Sequence, residues 1–279
     1  MHPKSAIMSA TSGEWSCLAA AGPDGFWMAW QGWRMTIGWV TGFFDFPVSD
    51  FEAGRDFWAG ITGYALSPPR GPGGDFATLV PGAGDAYLRV QRTAGGPVGC
   101  HLDFHTADWA GLAVRARRLA AQPVHAEEGL AVLRSPGGLP FCVSGEAGGP
   151  VRPPAARWPG GSVSRVDQFC LDIPPDVYDA ECRFWADLTG WEPRDSSLTE
   201  FRRLERAAGM PLRLLLQRTG DPPGTTVRAH PDLACADADA EVARHEGLGA
   251  ARSHDGDGWI TMRDPAGMAY CITRRDPAT

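Results

Sequence analysis

The chain has 279 residues, enough for two ordinary domains that each bury a core. Apolar residues make up 43% and charged residues 21%, which excludes a disordered chain, and no apolar run approaches the roughly 20 residues that span a bilayer. A formal net charge of −7 repels phosphate backbones and argues against nucleic acid as a partner.

Residues 1–34 hold the one lysine, Lys4, and an Ala-rich stretch whose apolar core is broken by Gly, Pro and Asp. That makes a poor signal peptide and predicts a loosely ordered N-terminal extension, with folding starting near Met35. WVTGFFDF (39–46) alternates as a strand. Asp50, the run 51–62 and Gly63 then read as an N-cap, a helix and its stop. Short strands follow at FATLV (76–80) and YLRVQ (87–91). CHLDFHT (100–106) is a strand and WAGLAVRARRLAA (109–121) a helix, and LAVLR (130–134) and PFCVS (140–144) close the run. A Pro- and Gly-rich linker is expected over 146–162. Beyond it come a strand RVDQFCLDI (165–173), a helix through ECRFWADLTG (181–190), and strands FRRL (201–204), LRLLLQ (212–217) and AHPDLACA (229–236). A helix through DAEVARHEGL (239–248) precedes SHDGDGW (253–259), which lacks the ligand spacing of a calcium loop and reads as a turn. Strands WITMR (259–263) and AYCIT (269–273) end the chain.

The two halves repeat each other. FWAGITGY (57–64) returns as FWADLTGW (184–191), Gln91-Arg92-Thr93 as Gln217-Arg218-Thr219, His101-Leu102-Asp103 as His230-Pro231-Asp232, and Ser135-Pro136-Gly137-Gly138 as Asp264-Pro265-Ala266-Gly267. Four landmarks in one order at nearly constant spacing mean duplication. Each copy reads as two βαβββ units, so the expected class is α+β with domains at 35–145 and 163–279. The Phe-Trp pairs read as helix core.

The FWxxxTG[YW] helix end, the HxD strand and DPAGMAYCI near the end resemble the vicinal oxygen chelate superfamily, which includes glyoxalase I, bleomycin-resistance proteins and extradiol dioxygenases. The likeness runs over roughly residues 36–276. It implies tandem glyoxalase-like modules, each a cupped mixed sheet with helices on the convex face and ligand and metal in the concave one.

Successive strand side chains point to opposite faces. With Cys100, Leu102 and Phe104 packed on a helix, His101, Asp103 and His105 line the cup, beside Thr41, Phe43 and Asp45, Arg89 and Gln91, and Cys142. The second copy presents Gln168, Cys170 and Asp172, Arg213, Leu215 and Gln217, His230, Asp232 and Ala234, and Cys271. A polar cluster of this kind is costly in a closed core and suits a wet cleft. Phe43, Arg89, Gln91, Asp172, Arg213 and Gln217 are the expected small-molecule contacts, and Trp39 and Phe76 read as core.

Histidine and aspartate two apart on a strand can supply two metal ligands from one edge. His101, Asp103, His230 and Asp232 are therefore candidate ligands for a divalent metal (Fe, Zn, Mn or Ni), the first copy, with His105 and Asp45 beside them, having the fuller inventory, and the resemblance adds Gln168. The alternative, that Asp103 only orients His101, stands beside it. Carried over from the superfamily, the first-strand ligand falls at Thr41 and Gln168, the fifth-strand histidine at His101 and His230, and the last ligand at Cys142 and Cys271. The superfamily often ends in a glutamate, and neither copy has one. Buried strand cysteines more often fill space than bind metal. If the chain is an enzyme, it is a metal-dependent glyoxalase- or dioxygenase-like one, of lyase, isomerase or oxygenase type, with Asp45 or His105 moving the proton. The rival reading is a metal-free, drug-sequestering binding protein. The seven cysteines form no CxxC pair, which points to a reducing cytoplasm. No HExxH, Walker A or GxSxG signature is present. The modules are expected to pair within the chain, as a monomer or homodimer.

Overall fold

The computed structural model describes residues 36–145 and 151–279; the extension expected over 1–34 and the first residues of the linker lie outside these. The first module comprises β1 (Trp39–Pro47), α1 (Phe51–Thr62), β2 (Ala65–Leu66), β3 (Phe76–Val80), β4 (Leu88–Thr93), β5 (Gly99–His105), α2 (Trp109–Arg118), β6 (Gln122–Glu127), β7 (Leu130–Arg134) and β8 (Pro140–Ser144). The second comprises β9 (Ala156–Arg157), β10 (Val163–Ile173), α3 (Tyr178–Thr189), β11 (Glu192–Asp195), β12 (Phe201–Glu205), β13 (Arg213–Arg218), β14 (Arg228–Cys235), α4 (Ala238–Glu246), β15 (Ala251–Asp255), β16 (Trp259–Arg263) and β17 (Ala269–Thr273). Strand order is β2-β3-β4-β1-β5-β8-β7-β6 in one sheet and β11-β12-β13-β10-β14-β17-β16-β15 in the other. In each βαβββ unit the first strand lies parallel to the last, as β1 does to β4, and the two units meet along the antiparallel pair β1–β5 or β10–β14. The expected α+β class, with two modules each of paired βαβββ units, is what the chain adopts.

The repeated motif builds the end of a helix. In α1 the buried residues Phe51, Gly54, Phe57, Trp58 and Ile61 fall three and four apart, a helical face. Thr62 turns its hydroxyl back onto the carbonyl of Trp58 at 2.6 Å, and Gly63 ends the helix at φ 69°, where its N–H bonds to Ala59 O. A left-handed stop of this kind favours glycine. In α3, Thr189 bonds to Trp185 O at 2.7 Å and Gly190 stops the helix at the same φ.

Both Phe-Trp pairs are buried, and each also reaches the other module. Trp58 stacks on Phe44 of its own β1 and packs edge-on to Tyr270 of β17. Trp185 packs on Phe104 and Phe141 of β5 and β8. Arg244 of α4 caps α1 by donating to Ile61 O at 3.0 Å, and Arg115 of α2 caps α3 by donating to Asp187 O. One hydrophobic core therefore runs through both modules, formed where the apolar faces of the sheets meet.

Some local expectations change. Asp50 makes no side-chain cap bond to α1. Ser253–Asp255, read as part of a turn, belong to edge strand β15, and only the glycines beyond turn the chain. Ala156–Arg157, inside the expected linker, pair with β10.

Candidate functional site

On β5 the alternation falls as expected, with Leu102 and Phe104 fully buried in the core and His101, Asp103 and His105 on the opposite face. His101 and Asp103 lie deep in the cup, and their side chains keep 10% and 9% exposure. Strand register fixes the neighbours. Thr41 stands opposite Asp103 and Phe43 opposite His101 on β1, while Asp103 lies beside Cys142 on β8. The residue in line with Thr41 and Cys142 is thus Asp103, and the histidine sits one rung away.

His101 has a carboxylate beside each ring nitrogen. Nδ1 lies 2.6 Å from Asp45 Oδ2, and Nε2 lies 3.5 Å from Asp103 Oδ1. Phe43 stacks on the imidazole with ring centres 4.4 Å apart, and the Arg89 guanidinium lies 5.4 Å from the centre of the Phe43 ring. Gln91 stands beside Asp45 in the register. Burial opposes the imidazolium, but the Asp45 carboxylate and its hydrogen bond outweigh it and raise the His101 pKa. Burial, then Asp103, pushes the Cys142 thiol well above its ordinary value. Donor atoms of His101, Asp103 and Cys142 all lie within 4.8 Å of one another.

The second cup repeats the set. His230 Nδ1 lies 3.1 Å from Asp172 Oδ2 and its Nε2 3.4 Å from Asp232 Oδ1, with Cys271 Sγ 3.6 Å from that same Nε2. Asp232 is the parallel neighbour of Cys271. Gln168, at the place of Thr41, donates to Asp232 Oδ2 at 2.6 Å. Cys170 replaces Phe43, donates to Gln217 Oε1 at 3.5 Å, and offers a second donor group with Asp172 and His230. Burial disfavours a charged His230, yet Cys170, Asp172 and Asp232 raise its pKa well above the usual value.

The remaining expected residues separate. His105 is clamped, with Thr41 Oγ1 2.8 Å from Nε2 and Ser144 Oγ 2.9 Å from Nδ1, and burial lowers its pKa. Arg89 and Arg213, read alike from sequence, are not equivalent: Arg89 faces Phe43, whereas Arg213 faces Gln168 and lies 3.7 Å from Asp167. Arg70, absent from the sequence reading, donates to Thr78 Oγ1 at 2.8 Å on the rung of Arg89. It lies outside any strand, where alternation carries no signal.

The residues fit a divalent cation. Each cup sets imidazole Nε2, carboxylate and thiol together, while a second carboxylate holds the far imidazole nitrogen, the usual support of a metal-bound histidine. Asp103 Oδ1 and Asp232 Oδ1 are buried without a hydrogen-bond partner, as is Asp45 Oδ1. The imidazole Nε2 of His101 and of His230 stands 3.5 and 3.4 Å from the first two, so in each cup a cation would bridge donor atoms already side by side. Cys142 and Cys271, weighed as space fillers, stand where they complete both groups.

Among solved structures, 2,2',3-trihydroxybiphenyl 1,2-dioxygenase from Sphingomonas wittichii RW1 is 14% identical, with TM-score 0.54 over 86% of this chain and 90% of that one. An extradiol ring-cleaving dioxygenase from B. fuscum gives 0.60 at 14% identity over 88% and 74%. A catechol 2,3-dioxygenase gives 0.55 at 14% over 88% and 91%. At this identity the likeness is one of fold. No curated protein matches the chain. The sequence profile of the glyoxalase-like domain matches twice, over residues 42–144 and 168–273, so the chain belongs to the glyoxalase-like domain family, in tandem form, with the vicinal oxygen chelate fold.

Proposed function

We propose that the chain holds a divalent metal in the first cup through His101, Asp103 and Cys142, and beside it binds a small organic molecule that offers a pair of oxygens. The observation that carries this reading is the Asp–His–Asp–Cys set built twice at matched positions, each with a buried carboxylate oxygen that accepts no hydrogen bond and lies beside the imidazole Nε2. A bound metal of borderline softness would act as a Lewis acid on the paired oxygens. Asp45 keeps the proton on His101 Nδ1 and so presents Nε2. Arg89, whose Nε is buried without a partner, offers a donor to ligand oxygen from above Phe43. Since Asp45 is committed to His101, His105, kept neutral by burial, is the group able to take a proton, by way of Thr41. Gln168, His230, Asp232 and Cys271 form the matching site in the second cup, with Asp172 as the support.

Elemental analysis of the purified protein after exposure to Fe, Zn, Mn and Ni tests it. Stoichiometric metal that falls by one equivalent in His101→Ala supports the proposal, and protein that retains no metal overturns it. One observation favours a metal-free binding protein instead: where the superfamily often has a glutamate the cups carry Cys142 and Cys271, whose thiol pKa values burial raises. That reading predicts aromatic ligands bound equally well with and without chelator.

A further inference from the structure

The two cups carry different cations. In the first module the register sets Arg89 of β4, Phe43 of β1 and His101 of β5 on one rung, and Thr78 of β3 extends it. Arg89 reaches over the Phe43 ring, its guanidinium 5.4 Å from the ring centre, while Phe43 stacks on the imidazole. Arg70 joins from the far side by donating to Thr78 Oγ1 at 2.8 Å. The carboxylates of Asp45 and Asp103 both stand beside His101, and among the described residues neither Arg89 nor Arg70 forms an ion pair. Arg89 Nε is buried without a hydrogen-bond partner.

A guanidinium held away from water costs free energy unless an anion meets it. Burial lowers the Arg89 pKa, Arg70 adds to the lowering, and Asp103 opposes them without cancelling them. The pair therefore has room for one more negative charge. Only β1 separates β4 from β5, so two strand spacings, roughly 10 Å, set the span from Arg89 to His101. That span fits a small molecule with oxygens for the His101 group at one end and an anionic group for the arginines at the other. A guanidinium fork matches a carboxylate in shape, and with Asp45 and Asp103 on the same face a single negative charge suits the pair better than the two of a phosphoryl group. The second cup is built otherwise. Leu215 takes the place of Arg89, on the rung of Cys170 and His230. Arg203 stands where Thr78 does but is exposed, and Phe201 and Trp259 meet edge-on with ring centres 5.6 Å apart.

We propose that the molecule taken by the first cup carries a carboxylate, held by Arg89 with Arg70 beside it, and that the second cup does not select for one. The inference rests on the reading of the first cup as a small-molecule site and not on its metal. Calorimetric titration of the full chain, stripped of metal and then freed of chelator, with benzoate, benzamide and phenylphosphonate tests it. Benzoate is expected to bind saturably and more tightly than benzamide, weakened about tenfold or more in Arg89→Met and about threefold in Arg70→Met, whose exposed side chain leaves Tm unchanged. Arg203→Met should bind benzoate as wild type does. No saturable benzoate binding, benzamide bound as tightly, benzoate bound equally well in Arg89→Met and Arg70→Met, or a loss in Arg203→Met overturns the proposal, and phenylphosphonate bound more tightly than benzoate overturns the carboxylate assignment. With metal absent throughout, the outcome is independent of whether the chain retains metal: discrimination of benzoate by a chain that binds none keeps this inference and removes the metal from the other.

Discussion

Trp58 and Trp185 occupy matched positions, yet their indole N–H groups find carboxylates of different origin. Trp58 Nε1 donates to Asp264 Oδ2 at 2.9 Å, across the module boundary. Ser135 stands at the matching place in the first copy, and Trp185 Nε1 instead donates to Glu181 Oε2 at 2.7 Å, one turn back in its own helix. Gly54 matches Glu181, and a side chain there would strike the Phe46 ring. The duplicated halves have thus moved one buried acceptor from loop to helix while keeping both indoles satisfied. Glu181 also accepts from Gly137 N, so Glu181→Ala should cost about 1–3 kcal/mol for each donor left unpaired, read from the denaturant midpoint. Burial raises the Glu181 pKa above its ordinary 4.5. The fold therefore favours its protonated form. That contribution is complete below the unfolded pKa and is lost as pH rises through the folded one. Glu181→Gln should remove this slope from the stability profile, and a profile parallel to wild type would refute the assignment. None of this exchange is legible in the sequence, where Glu181 reads only as a polar residue near the start of a helix.

At the scale of elements, what was legible followed burial. The strands that alternate and the helices with an apolar face were found because their hydrophobic period is plain, and the Thr-Gly helix ends because a left-handed stop asks for glycine. Strands β6, β11 and β15 were missed. Every residue in them is exposed, so no period exists to read; pairing to an edge alone makes them strands. Facing positions on β1 and β10 show a complementary asymmetry. Gly42 lies against the ring of Phe169, its counterpart in the repeat, and a Cβ on Gly42 would come within 2.5 Å of that ring. Gly42→Ala should destabilise by about 1–3 kcal/mol through overpacking, seen as a lower Tm. An unchanged Tm would mean that the sheets approach less closely.

Over the whole molecule, duplication was visible in four landmarks, and so was the face each strand turns to its cup. Sequence did not reveal that α1 and α3 sit between the sheets and pack on both, because period identifies a buried face and not what covers it. A shared core predicts one cooperative unfolding transition with equal calorimetric and van't Hoff enthalpies; two resolved transitions would mean independently folding modules. The candidate sites were legible only as residue types sharing one face. Their rungs were not, since the register that sets Asp103 beside Cys142 and Asp232 beside Cys271 depends on pairing between distant strands. The reading of both cups rests on those thiols joining the histidine and aspartate around one ion. Cobalt(II) titration measures this most directly, because a coordinating thiol is deprotonated and gives a sulfur-to-metal charge-transfer band. The account predicts such a band, reduced in Cys142→Ser and again in Cys271→Ser, and abolished when both are changed. Cobalt bound with no thiolate band, or a band indifferent to both substitutions, would contradict it.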